Sequence, residues 1–141
     1  MSKKPSYQLE AQVGHLLRRA NQRHTVLFTE MFAEHALTAL QFAALMKLQE
    51  FAELSQNQLG RLTAMDPNTI QGVVKRLQQR GLVERRPHAV DRRRVTLVLS
   101  ADGFDLASRL VPAGLDISAQ TLAPLSQTEQ RQLLALLGRI V

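Results

Sequence analysis

The sequence predicts a mainly α fold with a small β-wing: a winged helix-turn-helix lobe attached to a helical dimerisation region. Three observations carry this expectation. Apolar residues recur at helical spacing through most of the chain. Two helical segments, opening at Ser55 and Asp66, lie so close that only a tight turn fits between them. The period changes to alternation in one place, between Leu82 and Leu99, where basic residues are concentrated.

The elements follow in order. Tyr7 to about His35 reads as one long helix, with Leu9, Val13, Leu16, Leu17, Ala20, Leu27, Phe28 and Met31 on one stripe and no proline to break it. Nearly thirty residues is long for a helix in a small domain and points to packing against a second chain. A second helix opens at Thr38, where Gln41 completes a capping box, and runs through Phe42, Leu45, Met46, Leu48 and Phe51. Ser55-Gln56-Asn57-Gln58 is another such box, opening a short helix through Leu59, Leu62 and Thr63. Ala64-Met65-Asp66 then turns the chain.

The next helix carries its own punctuation. Asp66 can cap its first turn, Pro67 costs nothing at the first helical position, and Gly81 suits a left-handed end. Ile70, Val73, Val74 and Leu77 make its apolar face. The other face shows Asn68, Thr69, Gln71, Gly72, Lys75, Arg76 and Gln79, which hydrogen-bond to base edges and phosphates, with no acidic residue among them. Alone, this would be an ordinary amphipathic helix; its neighbours make it the second helix of a helix-turn-helix. Leu82 to Arg86 and Arg92 to Leu99 are strands around a turn at 87–91, with Val95, Leu97 and Leu99 alternating against Thr96 and Val98. Ser100 can cap a helix from Ala101 to about Leu122, with a kink or short break expected at Pro112 and Gly114. Pro124 ends it, and the box Ser126-Gln127-Thr128-Glu129 opens a final helix through Leu133, Leu134, Leu136, Leu137 and Ile140.

Charge sharpens the functional expectation. Residues 75–94 hold eight basic residues against Glu84 and Asp91, an excess equal to the +6 of the whole chain, so the remainder balances. A basic run is often only a solvated face. Here the whole excess falls on two adjoining elements that would meet DNA together, which favours phosphate binding. The candidate DNA contacts are Ser55 and Gln56, then Asn68, Thr69, Gln71, Gly72, Lys75 and Arg76, and at the wing tip Arg92, Arg93 and Arg94. Asp91 is expected to pair with a wing arginine.

At 141 residues, 45% hydrophobic and 21% charged, the chain is one folded domain. No apolar run is long enough to span a membrane, and Met1 to Pro5 lacks the apolar core of a signal peptide, so a cytoplasmic protein is expected. The absence of cysteine excludes disulfides and thiolate metal sites. There is no Gly-rich phosphate loop, no nucleophile motif and no close set of His and carboxylates, so no enzyme, cofactor or metal is expected.

The stretch Asp91-Arg92-Arg93-Arg94-Val95-Thr96-Leu97-Val98-Leu99-Ser100-Ala101-Asp102-Gly103 resembles the wing pattern of MarR-family transcriptional regulators, Asp-x-Arg, a short strand, then Leu-Thr-x-x-Gly, with Ser100 where Thr is usual. Leu59 to Arg86, with Leu77, Gly81, Leu82 and Arg85, is similar to the family's passage from recognition helix to wing. The resemblance covers roughly residues 9–139. It implies one domain over 1–141, with dimerisation helices at 7–35 and 101–141 flanking a winged lobe at 38–100. It also implies a homodimer on a pseudo-palindromic operator, and a small-ligand pocket between the dimer helices and the lobe.

That pocket would draw on His24, Arg18, Arg19, Arg23, Phe28, Phe42 and Met46. His24 lies inside the apolar stripe of the first helix, so its ring needs a polar partner. Either a backbone carbonyl or the dimer partner supplies it, or a ligand carboxylate does, with an arginine beside it. Arg18 points away from the stripe, and Phe42 and Met46 also suit a plain core. The leading expectation is a repressor released by a small effector, by family analogy an aromatic acid. The alternatives are a non-sensing architectural DNA-binding protein and a basic module for an acidic protein partner.

Overall fold

Five helices begin at a side-chain oxygen that takes up a free N–H of the first turn. Thr38, Ser55, Asp66, Ser100 and Ser126 each accept the N–H three residues on. At Thr38, Ser55 and Ser126 the reciprocal Gln or Glu bond closes the box. The computed structural model describes residues 4–141, so the expectation made for residues 1–3 lies outside the described residues. Its elements are α1 (Val13–Met31), α2 (Ala39–Phe51), β1 (Glu53–Leu54), α3 (Gln56–Leu62), α4 (Pro67–Gln79), β2 (Val83–Pro87), β3 (Val95–Leu99), α5 (Ala101–Leu122) and α6 (Gln127–Ile140), with 3-10 turns at Leu9–Ala11 and Ala33–His35.

The core is where the apolar faces of α2, α3, α4 and the wing root meet α1 and α5. Leu45, Leu48, Leu59, Ile70, Val74, Leu77 and Leu97 are essentially solvent-free, and Phe28, Phe32 and Ile117 extend the cluster. The antiparallel sheet has the order β1-β3-β2, with Val83 opposite Leu99 and Pro87 opposite Val95. Strand β1, which pairs Leu54 with Leu97, is too short to leave a periodic signal and was not expected. The expected alternation of β3 shifts toward its tip. Val95 is exposed and Thr96 is buried, its hydroxyl within reach of the Arg86 carbonyl and the Glu53 carboxylate.

The motif that joins wing to α5 has a steric cause. Ser100 donates its backbone N–H to the Leu82 carbonyl (3.0 Å) and its hydroxyl to the Gly81 carbonyl (2.6 Å), while Gly81 takes the left-handed φ of +70°. This draws α5 so close that a Cβ on Gly103 would lie 2.0 Å from the Leu82 oxygen. Gly114 plays the same part further along, where a Cβ would meet the Phe42 ring at 2.6 Å.

Two sequence expectations are corrected. The first helix is not continuous from Tyr7 to His35. Gln12 takes an extended backbone that starts α1 afresh, and Ala36, in the left-handed region, turns the chain into the lobe. Residues 4–11 are all exposed, so no burial within the chain supports a helix there. The helix of 19 residues therefore does not require a second chain by its length. The second correction is at Pro112, where the short break offered beside a kink is absent, and α5 runs unbroken from Ala101 to Leu122. Only the Ser108 carbonyl loses its helical donor, and the Ser108 hydroxyl accepts from Gln49 Nε2 at 2.7 Å, stitching α5 to α2.

The terminal elements leave apolar surface uncovered. Val13, Leu16 and Leu17 on α1 and Leu134, Leu136 and Ile140 on α6 are each at least 43% exposed, and α6 buries none of its residues. No described helix is long and apolar enough to cross a membrane.

Candidate nucleic-acid interface

Helix α4 owes its position to its two ends and its apolar face. At the start, Asp66 Oδ1 accepts the Thr69 N–H (2.8 Å) and Oδ2 the Thr69 hydroxyl (2.9 Å). These bonds, the backbone one foremost, hold the Asp66 carboxyl below its ordinary value. Ala64, left-handed at φ 55°, makes the tight turn before it. Ile70, Val73, Val74 and Leu77 are buried, which turns Asn68, Gln71, Gly72, Lys75 and Arg76 outward, all exposed. Thr69 is half-buried, and its hydroxyl proton is committed to the cap.

The cations of residues 75–94 divide into two groups. Arg80 donates to the carbonyls of His35 (2.8 Å) and Ala36 (3.1 Å). Arg85 reaches from β2 to the Gln56 amide oxygen on α3 (2.7 Å) and that of Gln78 near the end of α4 (3.3 Å). Arg86 pairs with Glu84. Among the described residues, the side chains of Lys75, Arg76, Arg92, Arg93 and Arg94 have no such partner, and all five are exposed. These five are the groups that can meet phosphate without first breaking a protein contact.

Ser55 and Gln56 stand at the start of α3, but each is also engaged: Ser55 caps Gln58, and the Gln56 amide oxygen holds Arg85. Arg85 stood in the basic run and in the family pattern, but its tie to Gln56 and Gln78 left no local signal in the sequence. Asp91 does not pair with a wing guanidinium as expected. Its carboxylate accepts the backbone N–H of Arg93 (3.2 Å), so it shapes the loop.

The residues considered for an effector are partly brought together. His24 Nδ1 lies 2.8 Å from the Thr121 hydroxyl, which itself donates to the Ile117 carbonyl. A hydroxyl has one proton, so Thr121 accepts and His24 donates through Nδ1. Thr121 is the polar partner the stripe demanded. Arg23 donates to the carbonyls of Gln120 (2.9 Å) and Thr121 at the end of α5, where a cation suits the helix dipole. Phe28 stacks on Phe32 at 4.3 Å, and Phe42 meets both rings. Met46 is half-buried against the same core, whereas Arg18 and Arg19 are exposed.

A family model described as MarR family matches residues 36–94, from the start of the lobe through the wing loop and short of β3. The repressor NicR of Pseudomonas putida is 38% identical over 135 residues, covering 96% of this chain and 85% of its own length. Two solved structures superpose closely. One is BpsR of Bordetella bronchiseptica, described for regulation of its DNA binding by 6-hydroxynicotinic acid (35% identity, TM-score 0.90, covering 96% and 97% of the two chains). The other is PcaV of Streptomyces coelicolor in complex with its natural ligand (33% identity, TM-score 0.87, covering 97% and 96%). With a relative of this identity aligned almost end to end, and with the lobe geometry above, the chain belongs to the MarR family and is a DNA-binding transcriptional regulator, not an enzyme.

Proposed function

We propose that the chain is a homodimeric repressor, released from a pseudo-palindromic operator by a small aromatic carboxylate. The observation that carries the DNA-binding half is the sorting of cations. Among the described residues, Lys75, Arg76, Arg92, Arg93 and Arg94 stay unpaired on α4 and the wing, beside the outward amides of Asn68 and Gln71. The amides discriminate bases, and the wing arginines add affinity through phosphate and groove shape.

The homodimer reading rests on the uncovered apolar faces of α1 and α6, since a second copy is the partner that matches both. Two copies of α4 would then meet successive major grooves. The effector class rests on His24 and on BpsR, a relative whose DNA binding is regulated by 6-hydroxynicotinic acid. Such a protein works where the chromosome is, in the bacterial cytoplasm.

The test is selection of duplexes from a randomised library, followed by binding across a salt series and in the presence of 6-hydroxynicotinic acid. A defined palindromic site, a steep salt slope and release by the acid are expected. A slope near zero makes the basic face a protein-binding surface instead. Full binding at saturating ligand removes the sensing half.

A further inference from the structure

The loop from His88 to Arg94 joins β2 to β3 and carries the three wing arginines. It has little packing to hold its shape, and Val90 at its tip is 89% exposed. Its order therefore depends on hydrogen bonds. Those bonds converge on one ring. His88 Nδ1 accepts the backbone N–H of Val90 and that of Asp91, both at 3.1 Å. A nitrogen that accepts two N–H groups carries no proton, so the ring proton of neutral His88 sits on Nε2. That atom lies 3.3 Å from the Glu53 carboxylate on β1. The backbone completes the arrangement: His88 N–H donates to the Arg94 carbonyl (2.9 Å), Arg94 N–H to the Asp91 carbonyl (3.0 Å), and Arg93 N–H to the Asp91 carboxylate.

We propose that His88 is a positioning residue of the wing: its ring, protonated on Nε2 and accepting at Nδ1, holds the Val90–Asp91 turn and thereby sets where Arg92, Arg93 and Arg94 are presented to DNA phosphates. The proposal rests on the reading of this chain as a DNA binder. His88 acts through the turn and contacts no phosphate itself. Glu53 fixes the ring's orientation from the opposite side, so the tip is tied to the sheet through two elements.

Two variants separate this role from a general loss of fold. His88→Asn keeps an acceptor, Oδ1, the same number of bonds from the backbone as Nδ1, and Asn accepts readily from the N–H two residues on. His88→Ala removes the acceptor. In the wild type, ¹⁵N NMR should show an unprotonated Nδ1 and a protonated Nε2 at neutral pH. Amide exchange at Val90 and Asp91 should be slow in the wild type and His88→Asn and fast in His88→Ala. On a duplex selected by the wild type from a random library, His88→Ala should lose about tenfold in affinity, with a salt slope shallower by about one, while His88→Asn binds as the wild type does.

A protonated Nδ1, or unchanged exchange in His88→Ala, overturns the proposal. So does His88→Asn binding as weakly as His88→Ala, His88→Ala binding as the wild type does, or a loss of affinity at full salt slope. If the wild type selects no duplex, the DNA-binding reading has failed, and the ring and amide measurements alone decide whether His88 holds the turn.

Discussion

Arg80, just past the last residue of the recognition helix, is bonded to the turn that ends the first helix, with Nη2 donating to the His35 carbonyl at 2.8 Å. The turn is continuous with the aromatic cluster, since Phe32 stacks on Phe28 and lies 6.3 Å from the His35 ring. Arg80 therefore ties the end of α4 to the turn that follows the helix bearing His24, a polar link beside the core the two helices share. Its charge is directed at carbonyls within the protein. Arg80→Ala is expected to weaken operator binding by loosening α4, with the salt slope unchanged. Arg92→Ala should flatten the slope by about one. Binding isotherms at four salt concentrations distinguish them; a flattened slope in Arg80→Ala would place that guanidinium on phosphate.

Base reading and affinity should separate along α4 and the wing. Gln71 is exposed and its amide has no hydrogen-bond partner among the described residues, so Gln71→Ala should change the preferred base at one position, at a cost of about 1–3 kcal/mol. Arg93→Ala should weaken all sequences alike. Thr69→Ala is a less clean probe, because its hydroxyl is bonded to Asp66 and its loss also weakens the helix start. Library selection with each variant decides; a shifted consensus from Arg93→Ala and none from Gln71→Ala reverses the assignment.

The lobe was legible because its signals are local. Capping residues, Pro67, Gly81 and the apolar period of α4 specify their own geometry within a few residues. The parts that were not legible depend on partners distant in sequence. Arg85 sits 29 residues from Gln56, and β1 exists only because β3 lies beside it. His24 and Thr121 are 97 residues apart, so no spacing could pair them. The apolar stripe expected to run from Leu9 into Val13 has its first part exposed, so α1 begins only at Val13, and Val13, Leu16 and Leu17 stay on the surface.

That surface yields the next prediction. Deleting residues 126–141 removes Leu134, Leu136 and Ile140, and deleting residues 1–20 removes Val13, Leu16 and Leu17. Either deletion should give a monomer whose operator affinity falls with its dimerisation, because two half-sites are no longer gripped together. Light scattering that finds a monomer with full affinity would remove the dimer from the mechanism.

The Asp66 carboxyl is held below its ordinary value, so its stabilising contribution is present above the unfolded-state value of 3.8 and is lost as pH falls through the lower folded value. Asp66→Asn keeps a capping oxygen without the charge. The variant should therefore show a weaker acid-side decline in melting temperature than the wild type. Parallel acid-side curves for the two proteins would show that Asp66 makes no contribution to acid unfolding.

His24 supplies the last prediction, and its proton count is what makes it sharp. Because Thr121 donates to Ile117 and accepts from His24, the proton of the neutral ring is on Nδ1, and Nε2 is a bare acceptor. A carboxylate cannot accept from a bare nitrogen, so an aromatic acid that binds His24 must bring a proton to Nε2. Binding of 6-hydroxynicotinic acid should then be weakened by His24→Ala. Arg23 is committed to the end of α5, so it is a poorer candidate than His24 for the group that meets the carboxylate. The ligand need only prefer the arrangement of α1 and α5 that misfits DNA, and a coupling of about 1–3 kcal/mol is enough to switch. Calorimetry of the acid against the wild type and His24→Ala measures this, with DNA release followed in parallel. If His24→Ala both binds the acid and releases DNA as the wild type does, His24 is a core residue bonded to Thr121, and the effector sits elsewhere.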